Sequence, residues 1–206
     1  MTAGRPRDAR VTEAILDAVL AELGDKGFGG LTMDAVARRA RVGKSALYRR
    51  WPSKVEMTAD LMRALSVSTD PAPDTGSFAG DIRVLLDEVL TWLTDDRVRR
   101  VYPDLLAEAQ RTPALGEALM TYVGRPRRAR ATAVLERAAE RGELDVNADQ
   151  EVIMDALAAL VFWRLIALGK PVTAQHLDRV AAAVCTMARG AGPLGEPGLS
   201  CVDRVE

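Results

Sequence analysis

Basic and hydroxyl-bearing side chains gather between residues 44 and 54, where their types and spacing suit them to bind a polyanion. Lys44 and Ser45 open this segment, Arg49 and Arg50 close it, and Lys54 follows four residues later. Ammonium and guanidinium groups bind phosphate oxygens and also donate hydrogen bonds to base edges in the DNA major groove. The segment therefore predicts contact with nucleic acid, provided that a folded element holds these cations on one surface.

Two short helices joined by a tight turn, over about residues 32–51, are predicted to hold them. Apolar residues recur at helical spacing on the first of these helices: Met33, Val36, Ala37 and Ala40. Thr32 precedes that stripe as an N-cap, and Leu47 and Trp51 form a second, shorter apolar face. This is the layout of a helix-turn-helix, whose second helix enters the DNA major groove.

The helices on either side complete a small N-terminal domain over residues 11–65. A preceding helix is predicted from Val11 to Lys26, and Phe28 in the loop after it is expected to plug the three-helix core. Ser53 and Glu56 have capping-box spacing at the start of a fourth helix that ends near Leu65. Residues 1–10 are predicted to form a flexible basic arm, either disordered or contacting phosphates or the minor groove.

The remaining sequence predicts helices only, so the expected fold class is all-α with about nine helices. Residues 66–77 contain two prolines and a glycine and form the predicted linker to a C-terminal domain over residues 78–190. Within that domain we expect a helix break near Pro103, a kink at residues 124–126 and a helix capped by Asn147. Residues 191–206 are rich in glycine and proline and are expected to fray.

Charge is distributed unevenly along the chain. The 206 residues carry 28 basic and 29 acidic side chains, a formal charge of -1, but residues 1–55 hold 11 basic and 6 acidic ones. A basic N-terminal quarter on an acidic body indicates one module for a polyanion and another for a different task. The most apolar segment, residues 152–168, is interrupted by Asp155 and Arg164, which favours a cytoplasmic protein over a membrane protein.

The N-terminal pattern resembles the DNA-binding domain of the TetR family of repressors. The resemblance rests on several spaced segments that agree together: Leu31-Thr32-Met33, Val36-Ala37, Val42, Ala46-Leu47-Tyr48 and Trp51-Pro52-Ser53-Lys54. It implies a homodimer with an N-terminal helix-turn-helix domain and a helical C-terminal domain for effector binding and dimerisation. The function implied is a DNA-binding transcriptional regulator, expected to be a repressor that a small molecule releases from a palindromic operator.

The resemblance also implies roles for individual residues in the DNA-binding site. Lys44, Ser45 and Ala46 are expected to face base edges beside Gly43, and the predicted phosphate contacts are Thr32, Tyr48, Arg49, Arg50 and Lys54. Arg41 occupies a turn position where the family often has glycine, so a positive φ is expected there. Asp34 stands where some members contact bases with a basic side chain, and we expect it to cap the helix or orient Arg38.

Two further sites are predicted in the C-terminal domain and the helices that lead into it. The predicted ligand pocket is mostly apolar with few polar groups, and its residues are Leu61, Met62, Leu65, Leu85, Val89, Trp92, Tyr102, Leu105, Glu108, Tyr122 and Phe162. The last two long helices offer small and apolar side chains for a four-helix dimer interface, and the residues predicted there are Ala156, Ala159, Leu160, Trp163, Val184, Cys185 and Ala188.

Two alternatives stay open on sequence alone. A helical enzyme or carrier with a basic N-terminal module would need a catalytic group, and His176 and Cys185 are the only obvious ones. An architectural DNA binder would lack the effector. No nucleophile–base pair, phosphate loop or metal-ligand spacing stands out, so we predict neither an enzyme nor a cofactor nor a metal site.

Overall fold

A computed structural model of the chain describes residues 5–66, 71–145 and 147–189. Within these ranges all regular secondary structure is helical, as the sequence predicts. No helix in the described part of the chain is both long enough and apolar enough to cross a membrane. The predicted C-terminal tail, with Cys201, lies outside the described residues.

The N-terminal helices are α1 (Arg5–Gly30), α2 (Met33–Ala40), α3 (Lys44–Arg50) and α4 (Lys54–Ala64). The α1 backbone breaks at Gly27, whose φ of 66° is accessible to glycine without a Cβ clash, so the regular helix ends where the sequence predicts. The prediction of a flexible arm is corrected in part, because residues 5–10 already belong to α1. Residues 1–4 of that arm lie outside the described ranges.

The later helices are α5 (Phe78–Thr94), α6 (Asp96–Ala109), α7 (Pro113–Leu119), α8 (Arg125–Glu140), α9 (Gln150–Phe162) and α10 (Ala174–Ala188). Short π-helical segments, Met120–Gly124 and Trp163–Ala167, follow α7 and α9. The first of them lies at the predicted kink and joins α7 to α8 without a loop. A π-helical turn is a known way for a helix to absorb a local irregularity.

Two details of these helices differ from the prediction. Pro103 lies inside α6 and does not break it. Val98, Val101 and Leu105 are buried on one face of α6, and we attribute the intact helix to this packing, which outweighs the proline's local cost. The cap of α9 is Asp149, whose side chain accepts a hydrogen bond from the Val152 backbone N–H, and not Asn147.

The chain divides into two compact units, each assembled from two separate segments. The first unit comprises Met1–Pro71 and Leu90–Ala129, and the second comprises Ala72–Val89 and Arg130–Glu206. This division does not follow the two consecutive domains predicted from the sequence. The physical reason is that residues 98–123 supply buried side chains to the same hydrophobic core as α1 to α4.

The core of the first unit surrounds the helix-turn-helix. Phe28 is buried, as predicted, and packs in this core with the inward face of α1 and with Leu47 and Trp51. In the second unit, α9 and α10 contact each other, and buried apolar side chains line α5, α8, α9 and α10.

Candidate nucleic-acid interface

Local interactions fix the geometry of the helix-turn-helix. The Thr32 hydroxyl accepts a hydrogen bond from the Ala35 backbone N–H, which confirms the predicted N-cap of α2. At the other end of α2, Arg41 adopts φ 55° and ψ 41°, the predicted left-handed conformation, and its N–H bonds back to the helix. The turn thereby closes within three residues and sets the start of α3 at Lys44.

Helix α3 buries one face and exposes the other. Leu47 is its buried residue, and Trp51 at its C-cap is also buried, with its indole Nε1 donating to Asp60 of α4 at 2.8 Å. Six of the nine residues predicted to contact DNA are exposed, namely Thr32, Gly43, Lys44, Ser45, Tyr48 and Arg49. Ala46, Arg50 and Lys54 are half-buried, so none of the nine predicted contacts is buried.

Lys54 differs from the other predicted contacts. Its ammonium Nζ donates to the Phe28 carbonyl oxygen at 2.8 Å and lies 4.4 Å from the centre of the Phe28 ring. A cation placed over an aromatic face and bonded to a carbonyl is engaged in packing. This side chain ties the start of α4 to Phe28, just past the break in α1 at Gly27, and its predicted phosphate contact stays a prediction.

Asp34 also has a partner that the sequence does not predict. Its carboxylate Oδ2 lies 2.6 Å from Nζ of Lys44, and no hydrogen bond or ion pair joins it to Arg38 among the described contacts. Asp34 belongs to the first turn of α2, where a carboxylate is favourable to the helix dipole. The turn between the helices brings residues 34 and 44 together, which helical spacing within α2 could not reveal.

A second group of charged side chains supports the motif from α1. The buried Glu22 carboxylate bonds to Lys26 Nζ and to Arg39 Nε, each at 2.7 Å. Asp25 contacts Arg39 of α2 at 2.7 Å and Arg100 of α6 at 2.6 Å. The hydrogen bond from Lys26, followed by that from Arg39, lowers the pKa of Glu22 despite its burial.

This group ties α2 and α6 each to α1. Sequence reasoning missed it, although one signal was available: Glu22 and Lys26 are four residues apart, the spacing of a helical ion pair. The contact between Arg39 and Glu22 joins two helices and has no such local signal.

Two family models match the chain, one over the helix-turn-helix region and one over most of the later helices. The model described as "Bacterial regulatory proteins, tetR family" matches residues 15–61. The model described as "Tetracyclin repressor-like, C-terminal domain" matches residues 72–184, which is more than half of the chain. The chain belongs to the tetR family. It is a DNA-binding transcriptional regulator, consistent with the exposed face of α3.

Curated relatives support this membership. The chain is 36% identical to "Uncharacterized HTH-type transcriptional regulator YdeS" of Bacillus subtilis over 84% of its own length and 87% of that protein. It is 30% identical to "DNA-binding transcriptional repressor TetR" of Mycobacteroides abscessus, over 81% of this chain and 87% of the relative. Both relatives are named as transcriptional regulators.

Solved structures of family members have the same fold. The regulator SCO0332 superposes with a TM-score of 0.62 at 28% identity, over 86% of this chain and 97% of that one. The "Flavonoid-responsive Regulator FrrA" gives a TM-score of 0.68 at 22% identity, over 86% and 94%. The tetR-family fold predicted from the sequence is confirmed.

The residues predicted to line a ligand pocket are divided between the two units. Leu85, Val89 and Phe162 belong to the second unit and the other eight to the first. Four of those eight are buried in the core of the first unit: Leu61, Met62, Leu65 and Leu105. Tyr122 is half-buried. These four leucine and methionine side chains form part of the hydrophobic core of the first unit, and core packing alone accounts for their burial.

The polar and aromatic members of this set have partners within the first unit. The carboxylate of Glu108 bonds to Arg111 at 2.7 Å and accepts from the Thr112 hydroxyl at 3.0 Å. Trp92 Nε1 donates to the Leu65 carbonyl, and the Trp92 and Tyr102 rings meet edge to face at 4.7 Å. Burial raises the pKa of Tyr102. Glu108 thus braces the turn after α6, a role that the sequence did not indicate.

The residues predicted for dimerisation divide into an exposed and a buried set. On α9 and the π-helical segment after it, Ala159, Leu160 and Trp163 are exposed, Trp163 by 62%, and Ala156 is half-buried. On α10, Val184, Cys185 and Ala188 are buried within this chain. The prediction is therefore corrected for α10, because its most apolar face already packs inside the second unit.

Proposed function

We propose that this tetR-family regulator is a repressor that binds a palindromic operator as a homodimer and is released by a small-molecule effector. The observation that carries the operator contact is the exposure of α3. Lys44, Ser45, Tyr48 and Arg49 face solvent on a helix whose opposite face is anchored by Leu47. Repression is supported by the name of the Mycobacteroides abscessus relative, a DNA-binding transcriptional repressor.

Within the interface, position along α3 suggests a division of roles. Lys44, Ser45 and Ala46 lie at its N-terminal end, the part of a recognition helix that reaches base edges. Tyr48, Arg49 and Arg50, with Thr32 at the cap of α2, are the proposed phosphate contacts. Such contacts supply most of the affinity and carry no sequence information directly.

Gly43 is proposed to matter for DNA binding, because the fold itself does not need a glycine at this position. Its φ of -67° is ordinary for any residue, and a Cβ built there would meet only the Ser45 hydroxyl oxygen, at 3.9 Å. Neither backbone conformation nor packing thus demands glycine at this position. A missing side chain instead leaves room for close approach of DNA to the start of α3.

Binding-site selection with the purified protein, followed by titration at several salt concentrations, tests operator recognition. We expect one enriched palindrome and an affinity that falls steeply with salt. Arg49→Ala should lower the slope of log Kobs against log salt by about 0.9 for each phosphate that the variant no longer neutralises. Arg99→Ala removes an exposed arginine of α6 and serves as the matched control. A flat salt dependence would refute the electrostatic basis of the proposal.

The proposed dimer uses the exposed apolar side chains of α9 and of the segment after it. Leu160 and Trp163, together with the exposed small residues Ala182 and Ala183 of α10, offer that surface. Two copies would set their α3 helices about 34–36 Å apart, or a multiple of that, on the operator. Trp163→Arg should convert a dimer into a monomer in sedimentation velocity, while Lys170→Glu, exposed nearby in sequence, should not. A monomeric wild-type protein would exclude the proposed interface.

Effector release is proposed from family membership, since regulators of this family bind small-molecule effectors. A panel of flavonoids is the first probe because a structural neighbour is named as flavonoid-responsive. An effector should raise the Tm of the protein and release the operator at the same concentrations. A compound that raises the Tm but leaves the operator bound would argue against release by that compound.

A further inference from the structure

An acid and a base meet on the accessible surface of the helix-turn-helix, at the start of both of its helices. Asp34 lies in the first turn of α2, and Lys44 is the first residue of α3. Oδ2 of Asp34 and Nζ of Lys44 are 2.6 Å apart, and the side chains remain 44% and 62% exposed. This contact therefore leaves much of both groups open to a partner that approaches α3.

The pair has unused hydrogen-bonding capacity on both sides. A lysine ammonium has three N–H donors, of which one is used by Asp34, so two remain. An ionised carboxylate accepts several hydrogen bonds, so Asp34 can accept another while it holds Lys44. The pair thus presents two donors with an acceptor directly beside them.

The edge of a G·C base pair in the major groove has the complementary pattern. Guanine presents two acceptors, N7 and O6, and cytosine presents the N4 amino donor beside them. Guanine O6 and cytosine N4 are joined by a hydrogen bond of about 2.9 Å, close to the spacing within the Asp34–Lys44 pair. An A·T pair instead presents an acceptor, a donor and an acceptor in that order. Its two acceptors are not adjacent, so the two N–H donors of Lys44 could not both reach them.

We propose that Asp34 and Lys44 together read one G·C base pair of the operator, with Lys44 donating to guanine and Asp34 accepting from cytosine N4. This inference rests on the proposed function, in which the start of α3 faces base edges. It gives Asp34 a specificity role in place of the expected cap or partner for Arg38. A carboxylate near DNA repels phosphates, so it favours binding only where a base supplies the donor that compensates it.

The test is binding-site selection with the full-length wild-type protein and with the Asp34→Ala, Lys44→Ala and double variants. Each enriched operator position is then changed singly and its effect on Kd is measured. We expect wild-type protein to discriminate about tenfold in favour of G·C at one position per half-site. Each single variant should reduce discrimination at that same position to threefold or less, and the double variant should reduce it no further.

Arg38→Ala provides the matched control, because Arg38 is exposed one helical turn after Asp34 on α2. Because Arg38 lies outside the pair, its removal should leave the preference for G·C at that position unchanged. Glu140→Gln controls for the change in net charge caused by Asp34→Ala. Far-UV circular dichroism and the Tm establish that each variant is folded before its selectivity is compared.

Three results would overturn the inference. Asp34→Ala could raise affinity for every sequence without changing base preference, which would show repulsion alone. Asp34→Ala and Lys44→Ala could relax different positions, which would show that the two residues read separately. A wild-type protein that enriches no sequence would overturn both the proposed operator binding and the proposed recognition of a G·C pair by Asp34 and Lys44. The first two results would overturn only the recognition of the G·C pair.

Discussion

The Asp34–Lys44 pair of the helix-turn-helix and the Asp81 cluster of the second unit use the same chemistry in different surroundings. Asp34 and its lysine are largely exposed, whereas the Asp81 side chain is fully buried. Asp81 accepts hydrogen bonds from the Thr75 backbone N–H at 2.6 Å, the Thr75 hydroxyl at 2.9 Å and Arg141 at 3.2 Å. The Asp34 carboxylate can still accept hydrogen bonds from a binding partner, whereas the Asp81 carboxylate accepts its hydrogen bonds from groups within the chain.

Burial determines which of these tasks a carboxylate can perform. A buried charge must be bonded on all sides, because the solvation it loses is large. Removing a buried and fully bonded carboxylate is therefore expected to lower the free energy of unfolding. An exposed ion pair contributes little to stability, since water competes for both groups. An exposed ion pair can instead contribute to the recognition of a binding partner such as DNA. Glu22 lies between these cases, because its carboxylate is buried but its partners Lys26 and Arg39 are partly exposed.

Asp81→Ala is expected to have the largest effect on stability. Removing the carboxylate leaves the Thr75 N–H without its acceptor, takes one of two acceptors from the Thr75 hydroxyl and removes one partner of Arg141. The free energy of unfolding should therefore fall by about 3 kcal/mol. Urea denaturation measures this. Asp87→Ala, on the exposed side of the same helix, should cost about 0.5 kcal/mol. Equal losses for the two variants would break the comparison between buried and exposed carboxylates.

Glu22→Gln should lower the free energy of unfolding by about 2 kcal/mol at pH 7, because two hydrogen bonds to charged partners are weakened. The pKa of Glu22 is lowered in the folded state, so its contribution is present above its ordinary value of about 4.3 and is lost as the pH falls through the folded value. The difference between variant and wild type should therefore shrink below about pH 4. A pH-independent difference in urea titrations would contradict this.

Ser53→Ala should lower the free energy of unfolding by about 1 kcal/mol, since the Ser53 hydroxyl accepts from the Glu56 N–H and caps α4. The measurement is the urea midpoint at constant m-value. Ser45→Ala, an exposed serine of α3 that caps no helix, is the control and should change the free energy by less than about 0.5 kcal/mol. A larger loss at Ser45 than at Ser53 would place the stability of the motif in α3 and not in the cap.

Asp34→Ala should have the smallest effect on stability, a change of about 0.5 kcal/mol or less, because its ion pair is exposed. Chemical denaturation of the variant beside Asp81→Ala sharpens the comparison. A loss of about 2 kcal/mol or more would show that Asp34 acts as a structural residue. In that case a change in its base selectivity could no longer be attributed to direct recognition.

The success of sequence reasoning followed the range of the interactions involved. The caps at Thr32 and Ser53 depend on residues three apart, and both are present as predicted. The left-handed conformation of Arg41 was implied by the family resemblance, because the family often has glycine at that turn position. Errors arose where two residues of similar local character compete, as at the start of α9, where Asp149 and not Asn147 caps the helix.

The partners that the sequence did not predict belong to other helices or lie across a turn. Lys54 bonds to Phe28, 26 residues away, and Asp34 bonds to Lys44 across the turn. Helical spacing identified the apolar face of α10 but could not tell whether that face meets the chain itself or a second copy. Val184 and Ala188 are buried within the chain, so their side chains pack against other residues of the same chain.

The sequence by itself determined the helical fold class, the position and caps of the helix-turn-helix and the exposed cations of α3, because these depend on periodicity and on interactions within one or two helical turns. Only the tertiary structure decided that residues 90–129 pack with the N-terminal helices, that Glu22 is bonded to Arg39, and that Asp34 faces Lys44. These arrangements depend on which helix faces meet, and the free energy that selects them comes from burial shared between segments distant in sequence.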